Sequence, residues 1–565
     1  MQYKDVCQLD GRSGRLSLNF RSSFITWFLE NRSTVKLALA LFAVNFLLRF
    51  SYYRYDLLIW DETAWAVSAQ MWLGGKTLYS EIVIDKPPGA TFIFALIFYL
   101  FGDKMIFIRL FTIIYVFATA VSIYKLGSYL YDRRLGWIGA FIYSVFSTTY
   151  FALHMIALNT ELLLVLPYTL SVLFFLKGFR RQSNSLMLLA GVMTAIAMIF
   201  KPVGVFNLLL FAACLLLSDD RWTVRLRRLA VALLGLALGI GALVLYLAMT
   251  GALIDFWRDS ILLNIYYVGL ADAEAVWQYV SKRLSSYLAF NLSLFLLCGL
   301  AALRLIKSRA EKRSDKYSQE DLIVLIWAIA SFMGVSAGRR FYGHYFIQLL
   351  PAASLLAARG LEIVKLWLGH PARRRIAWAF SCFLVLSFSV PLVRFHQYTF
   401  ILMFEDLTNN RGRWSNAWPM TRDQKDIRQI ADYVRLRTGP DEAVFMWGYR
   451  AGVYYHANRP IASKYLYNHM LTGIMEGPYS PAYPADKPPW LDARQALINE
   501  LEGTQATYVI DLDAEVPITH YKDLARYLDD NYFIEHIEKL PGNRIVYYRR
   551  KHQMNASENG SKIGG

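Results

Sequence analysis

"WDETAWAVSAQMWLGGKTLYSEIVIDKPPGATF" occupies residues 60–92, directly after the first long apolar run of the chain. In a soluble protein it would read as an ordinary helix followed by a turn. At the edge of a bilayer it places Asp61, Glu62, Asp85 and Lys86 where charge is costly and needs a partner or a task. Composition decides between the two settings. Of 565 residues, 56% are apolar, too many for an ordinary soluble domain, and runs rich in Leu, Ile, Val and Phe recur to beyond residue 390. The expected fold class is a polytopic membrane protein.

The formal charge of +17 would suit nucleic acid if it were gathered on one surface. Instead the basic clusters lie between apolar runs, at Arg133-Arg134, "KGFRRQ" from Lys177, "RWTVRLRR" from Arg221, "RLIKSRAEKR" from Arg304 and Arg373 to Arg375. Short basic loops between spans mark the cytoplasmic side, so the charge reads as orientation and nucleic acid is excluded as a partner. Cys214, Cys298 and Cys382 fall inside apolar runs and Cys7 near the start, which is no disulfide framework. Residues 1–33 lack a compact signal-peptide layout and are expected to be a cytoplasmic segment, with "SSFITWFLE" as a short interfacial helix.

A crossing needs about 20 apolar residues. Candidates lie near 34–50, 105–130, 135–153, 161–177, 185–200, 203–218, 228–249, 286–306, 322–338, 344–359 and 375–393, which makes about eleven transmembrane helices. With the basic loops inside, residues 61–88, 154–161, 250–285 and 339–343 and everything after about 394 fall outside. The apolar run 89–102 is too short to span and satisfies parity as a helix dipping in from the outer face. The membrane domain is then 34–400. Beyond it, "TRDQKDIRQIADYVRLRTG", "LDARQALINELEG" and "HYKDLARYLDDNY" read as helices, and "AVFMWG", "TYVIDLD" and "RIVYYRR" as strands. They imply a small extracytoplasmic α/β domain over 420–550, followed by a disordered tail at 551–565.

The outer face gathers the chemistry. Trp60, Ala64, Val67 and Met71 share one face of an interfacial helix. On it Asp61 either caps the helix, with Glu62 in its first turn, or acts as a general base accepting a proton from an attacking hydroxyl. In "DKPPG" two prolines stiffen the segment that carries Lys86, so its ammonium is held for a phosphate instead of swinging as in a plain turn. Glu161 starts a span and could cap it, orient a hydroxyl or hold a divalent ion with Asp61. Arg339 and Arg340, with Lys86, Lys201 and Arg258, stand on the side disfavoured for basic residues, which an anionic lipid headgroup would explain. His344 and Tyr345 follow within a turn. No phosphate-binding Gly-rich loop, paired-Cys or HExxH metal spacing or nucleophile elbow is present in the sequence.

The acidic pair after the first span, "DKPPG", the further acid in "ALNTELL" and "GRRFYGHYFIQLLPA" resemble the C-type glycosyltransferase superfamily (GT-C). Within it they resemble bacterial members of the protein O-mannosyltransferase and lipid A aminoarabinose transferase group. The resemblance covers roughly 34–400. It implies transfer of a hexosyl or pentosyl group from a polyprenyl phosphate carrier to an acceptor outside the bacterial inner membrane, with inversion at the anomeric carbon. It implies Asp61, with Glu62 beside it, as the catalytic acid position and Lys86 as the carrier-phosphate contact. Arg339, Arg340, His344, Tyr345, Arg258 and Lys201 would line the phosphate pocket, and Glu161 and Asp85 would orient sugar or acceptor. Glu161 departs from the Asp expected in many relatives. The acceptor (protein, lipid or polysaccharide) and any divalent metal stay open. A flippase of lipid-linked precursors is the alternative, which would favour polar groups at the midplane and two related halves.

Overall fold

A computed structural model describes residues 32–551 apart from 151, 270–272, 312–314, 474–489, 514 and 541–542. The expected interfacial helix in "SSFITWFLE" and nearly all of the tail from 551 lie outside the described residues. Among those described, seven helices are long and apolar enough to cross a bilayer: Arg32–Arg54, Met105–Leu130, Thr160–Arg181, Trp222–Met249, Ser318–Ala337, Gly343–Gly369 and Arg374–Leu407. A further pair, Val276–Phe290 and Leu292–Ala310, bends by 86° and counts as an eighth if taken as one span. Asn291 sits at the bend. It accepts from the Thr149 hydroxyl at 2.8 Å and donates to the Tyr287 carbonyl at 2.9 Å, partnering polar groups where the helix breaks.

Three of the eleven expected crossings are helices of fewer than 18 residues. The run 135–153 becomes Arg133–Phe146 and then a turn, while 185–200 and 203–218 become Asn184–Phe200 and Pro202–Leu216. A hydropathy count sees the apolar run 135–153 but not the helix end at Ser147, whereas 185–200 and 203–218 fold within two residues of their expected bounds. The run 89–102 is a helix of 13 residues, Gly89–Phe101, too short to span as expected. Small residues let the bundle close. A Cβ on Gly191 would lie 1.9 Å from the Ala232 carbonyl and one on Gly235 2.0 Å from the Leu188 carbonyl. The helices Asn184–Phe200 and Trp222–Met249 therefore cross with their backbones in contact.

The C-terminal part carries a four-stranded sheet of β1 (Val444–Trp447), β2 (Tyr508–Asp511), β3 (Tyr532–Leu540) and β4 (Asn543–Arg550) in the order β1-β2-β4-β3. β1 and β2 are parallel, and β4 runs antiparallel to both of its neighbours. The helices Pro419–Arg437, Trp490–Gly503 and Lys522–Asn531 match the sequence expectation. The strand missed from sequence is β3, a half-exposed edge whose charged residues broke the apolar pattern. The helix Pro419–Arg437 buries Ile427, Ile430, Ala431 and Val434 against this sheet.

This sheet unit is seated on the loops at one end of the bundle. The Val83 amide donates to the Lys464 carbonyl at 3.0 Å, the Arg428 guanidinium meets Asp56 at 2.5 Å, and Tyr467 donates its hydroxyl to the Trp60 carbonyl at 2.6 Å.

Candidate active site

Helix ends from several parts of the chain converge on one cavity of about 620 Å³. Asp61 lies in the first turn of Trp60–Leu73, Glu161 in that of Thr160–Arg181, and Lys201 just beyond Asn184–Phe200. Asp85 and Lys86 come from the turn before Gly89–Phe101, and His344 and Tyr345 from the tight turn after Ser318–Ala337.

The prolines of "DKPPG" do what stiff residues should. Lys86 Nζ is held 3.0 Å from Asp61 Oδ1 and 3.1 Å from Asp85 Oδ2. Its carbonyl accepts from the buried Tyr79 hydroxyl at 2.8 Å. Burial disfavours the ammonium, yet the two carboxylates outweigh it and hold its pKa above the usual lysine value. Asp85 shows the reciprocal effect: burial would raise its pKa, and Lys86 with His469 brings it below the ordinary aspartate value. Asp61 does not cap its helix. Ile59 occupies the N-cap, and the Asp61 side chain reaches Lys86 instead.

A second charged cluster faces the first. Glu161 is buried and pairs with Lys201, and His344 Nε2 stands 3.8 Å from its carboxylate. Lys201 Nζ also lies 3.5 Å from the centre of the Tyr345 ring, a cation–π contact. His154 stacks on His344 with ring centres 5.4 Å apart, and burial holds its pKa below the ordinary histidine value. The two clusters are tied through Gly89, where a Cβ would lie 2.6 Å from the carbonyl of Ile199.

Four residues expected at the site lie elsewhere. Glu62 is fully buried and makes a two-toothed ion pair with Arg109, while accepting from the backbone amides of Leu58 and Leu158 at 3.0 and 3.2 Å. Adjacent helical residues point about 100° apart, so with Asp61 in the cavity Glu62 is turned into the protein. Arg258 is half-exposed and bound by Asp255 and Asp259 at 3.0 and 2.7 Å. Arg339 is exposed and adopts φ +54°, while Arg340 is buried and donates to the Tyr279 hydroxyl at 2.8 Å. Neither arginine lines the cavity. Among the described residues, the lysines and arginines that line it are Lys86 and Lys201. Asp61 and Glu161 are each engaged by a lysine, and among the described residues no group of three or more His, Cys, Asp or Glu side chains is placed to hold a metal ion.

Sequence reasoning missed His154, Tyr449, Tyr467 and His469, which also line the cavity. Tyr449 follows the carboxyl end of β1, where ligands of parallel strands gather, and that position was the available signal.

Residues 85–247 match the family model described as dolichyl-phosphate-mannose-protein mannosyltransferase, a stretch that opens on Asp85-Lys86 and includes Glu161 and Lys201. No curated protein matches the chain. Among solved structures it is similar to ArnT from Cupriavidus metallidurans bound to undecaprenyl phosphate. The TM-score is 0.52 and the identity 15%, over 93% of this chain and 98% of that one. It is also similar to the archaeal oligosaccharyltransferase AglB from Archaeoglobus fulgidus in complex with an inhibitory peptide and a dolichol-phosphate. There the TM-score is 0.51 and the identity 13%, over 93% of this chain and 75% of that one. With the helical bundle, the seated sheet unit and the charged cavity at their junction, the chain has the fold of the C-type membrane glycosyltransferases, and its residues 85–247 carry the match to their mannosyltransferase family.

Proposed function

We propose that this protein moves a sugar from a polyprenyl phosphate carrier to an acceptor on the extracytoplasmic side of the membrane, with inversion at the anomeric carbon. The observation that carries this is Lys86, an ammonium held between Asp61 and Asp85 inside a cavity at the end of the bundle. A carrier phosphate brings negative charge that competes with the carboxylates for this ammonium. As Lys86 turns to the phosphate, Asp61 is released as a base.

The acceptor heteroatom attacks the anomeric carbon from the face opposite the phosphate and gives its proton to Asp61. The bond from carbon to phosphate oxygen breaks and its electron pair leaves with the polyprenyl phosphate, whose charge Lys86 neutralises. Fixed cations aimed at a departing anion lower such a barrier most effectively in a site shielded from water. Lys201, stacked on Tyr345 and paired with Glu161, adds a second positive centre whose position the ring sets. That ArnT and AglB were solved with undecaprenyl phosphate and dolichol-phosphate supports the same class of carrier here.

Mass spectrometry of lipids that co-purify with wild type and with Lys86→Ala, with undecaprenyl phosphate added to both, tests the reading. Depletion of the polyprenyl phosphate in the variant supports it. Equal retention in both removes Lys86 as the phosphate contact and with it the proposal.

A further inference from the structure

One wall of the cavity comes from the C-terminal sheet unit, and it is made of stacked rings. Gly448 adopts φ +133° immediately after β1, a conformation open to glycine, and the turn delivers Tyr449 to the cavity. The Tyr449 ring lies 5.7 Å from Tyr467 and 5.9 Å from His469, near parallel to both at 24° and 11°. It also meets Trp60 at 5.6 Å. The Tyr467 hydroxyl bonds the Trp60 carbonyl and locks this wall to the helix that carries Asp61. His469 is 8% exposed and lines the cavity, and neither of its ring nitrogens has a hydrogen-bond partner among the described residues. Trp60 and Tyr449 also border a second, smaller cavity of about 150 Å³, in which Asp423 and Arg450 form an ion pair at 3.3 Å.

Building on the transferase reading, we propose that Trp60, Tyr449, Tyr467 and His469 form a binding platform for a pyranose ring beside Asp61. Flat aromatic faces carry partial negative charge and attract the weakly positive C–H groups on the face of a sugar. An imidazole with two available nitrogens can donate to one hydroxyl and accept from another. An extended peptide would instead be recognised by a row of backbone amides, whereas this wall offers ring faces and side-chain polar atoms. The pyranose is either the sugar in transit or the terminal residue of a glycan acceptor, and the second cavity gives the latter room to continue past Trp60.

Saturation-transfer NMR on the full chain in nanodiscs tests this, with methyl α-mannopyranoside, methyl β-glucopyranoside and methyl N-acetylglucosaminide as probes. Saturation should reach the ring protons of at least one probe. It should fall about tenfold in Tyr449→Ala, the loss expected for a stacking anchor, and return in Tyr449→Phe. Added polyprenyl phosphate mannose then separates the sources: displacement of the probe assigns the platform to the donor sugar, and joint binding assigns it to a glycan acceptor. No saturation of any probe, or equal saturation in wild type and Tyr449→Ala, overturns the proposal. Retention of bare undecaprenyl phosphate is measured in the same samples. If the lipid binds and no probe does, the platform alone fails; if the lipid does not bind, the transferase reading fails independently.

Discussion

Lys86 Nζ and Asp61 Oδ1 lie 3.0 Å apart, so the proposed phosphate contact and the proposed base neutralise one another. Each partner's removal should therefore have its own signature. Lys86→Ala loses the cation and should lower both carrier retention and transfer, the latter by about 10²-fold or more. Asp61→Asn loses the base but stops competing for Lys86, so carrier retention should hold or rise while transfer falls about 10²- to 10⁴-fold. Lipid retention and product formation, measured on both variants, check this opposition. A shared loss of retention would mean that the pair acts only as a structural tie.

Glu62 gives a contrasting prediction. Its carboxylate is fully buried against Arg109 and bonds two backbone amides. Removing one partner of such a pair leaves an uncompensated buried charge, at a cost of about 3–5 kcal/mol. Glu62→Gln should thus lower the thermal midpoint and the yield of monodisperse protein. The folded fraction that remains should turn over at close to the wild-type rate. A variant of normal stability with abolished turnover would return Glu62 to the catalytic set.

The contrast between these neighbours explains how far the sequence was readable. Apolar runs and basic loops marked the membrane class, and the prolines around Lys86 marked a held cation, because both effects are local in the chain. Helical geometry also held a usable clue that Asp61 and Glu62 cannot face the same way. The segment "RRFYGHYF" divides for a subtler reason. Left-handed backbone at Arg339 and Phe341 (φ +54° and +50°) turns His344 and Tyr345 toward the cavity and the arginines away. Tyr449, Tyr467 and His469 arrive only when the sheet unit docks through contacts such as Val83 to Lys464, a long-range event without a local pattern.

Asp511 predicts a pH effect remote from the cavity. It ends β2 and accepts from the Ile518 and Asp513 amides at 3.0 and 3.2 Å. Burial outweighs these bonds and pushes its carboxyl up from 3.8 to about 7. Between those values the folded chain holds a proton at Asp511 that the unfolded chain has released, so the contribution of Asp511 to stability is greatest below about pH 4 and is lost as pH rises through about 7. Asp511→Asn keeps an acceptor oxygen without the charge. Its thermal midpoint should gain on wild type as pH increases over that window and level off above it. An unchanged difference between the two proteins from pH 4 to 8 would show that Asp511 is ionised throughout.

Gly89 joins the two charged clusters, and its smallest replacement tests whether they work as one site. The Cβ of Gly89→Ala would lie 2.6 Å from the Ile199 carbonyl and 2.7 Å from the Phe200 ring, directly before Lys201. Backbone cannot yield as a flexible side chain would, so the turn carrying Lys86 must move from the segment carrying Lys201. Overpacking of this kind costs about 1–3 kcal/mol. If both lysines serve one phosphate, the variant should lose carrier retention beyond its loss of stability, measured well below its thermal midpoint. Gly102→Ala provides the control, because a Cβ there meets nothing within 4 Å, although its φ of +86° strains the backbone. It should lose stability without losing the carrier. Equal retention by the two variants would show that the clusters act separately and that Lys86 binds the phosphate without Lys201.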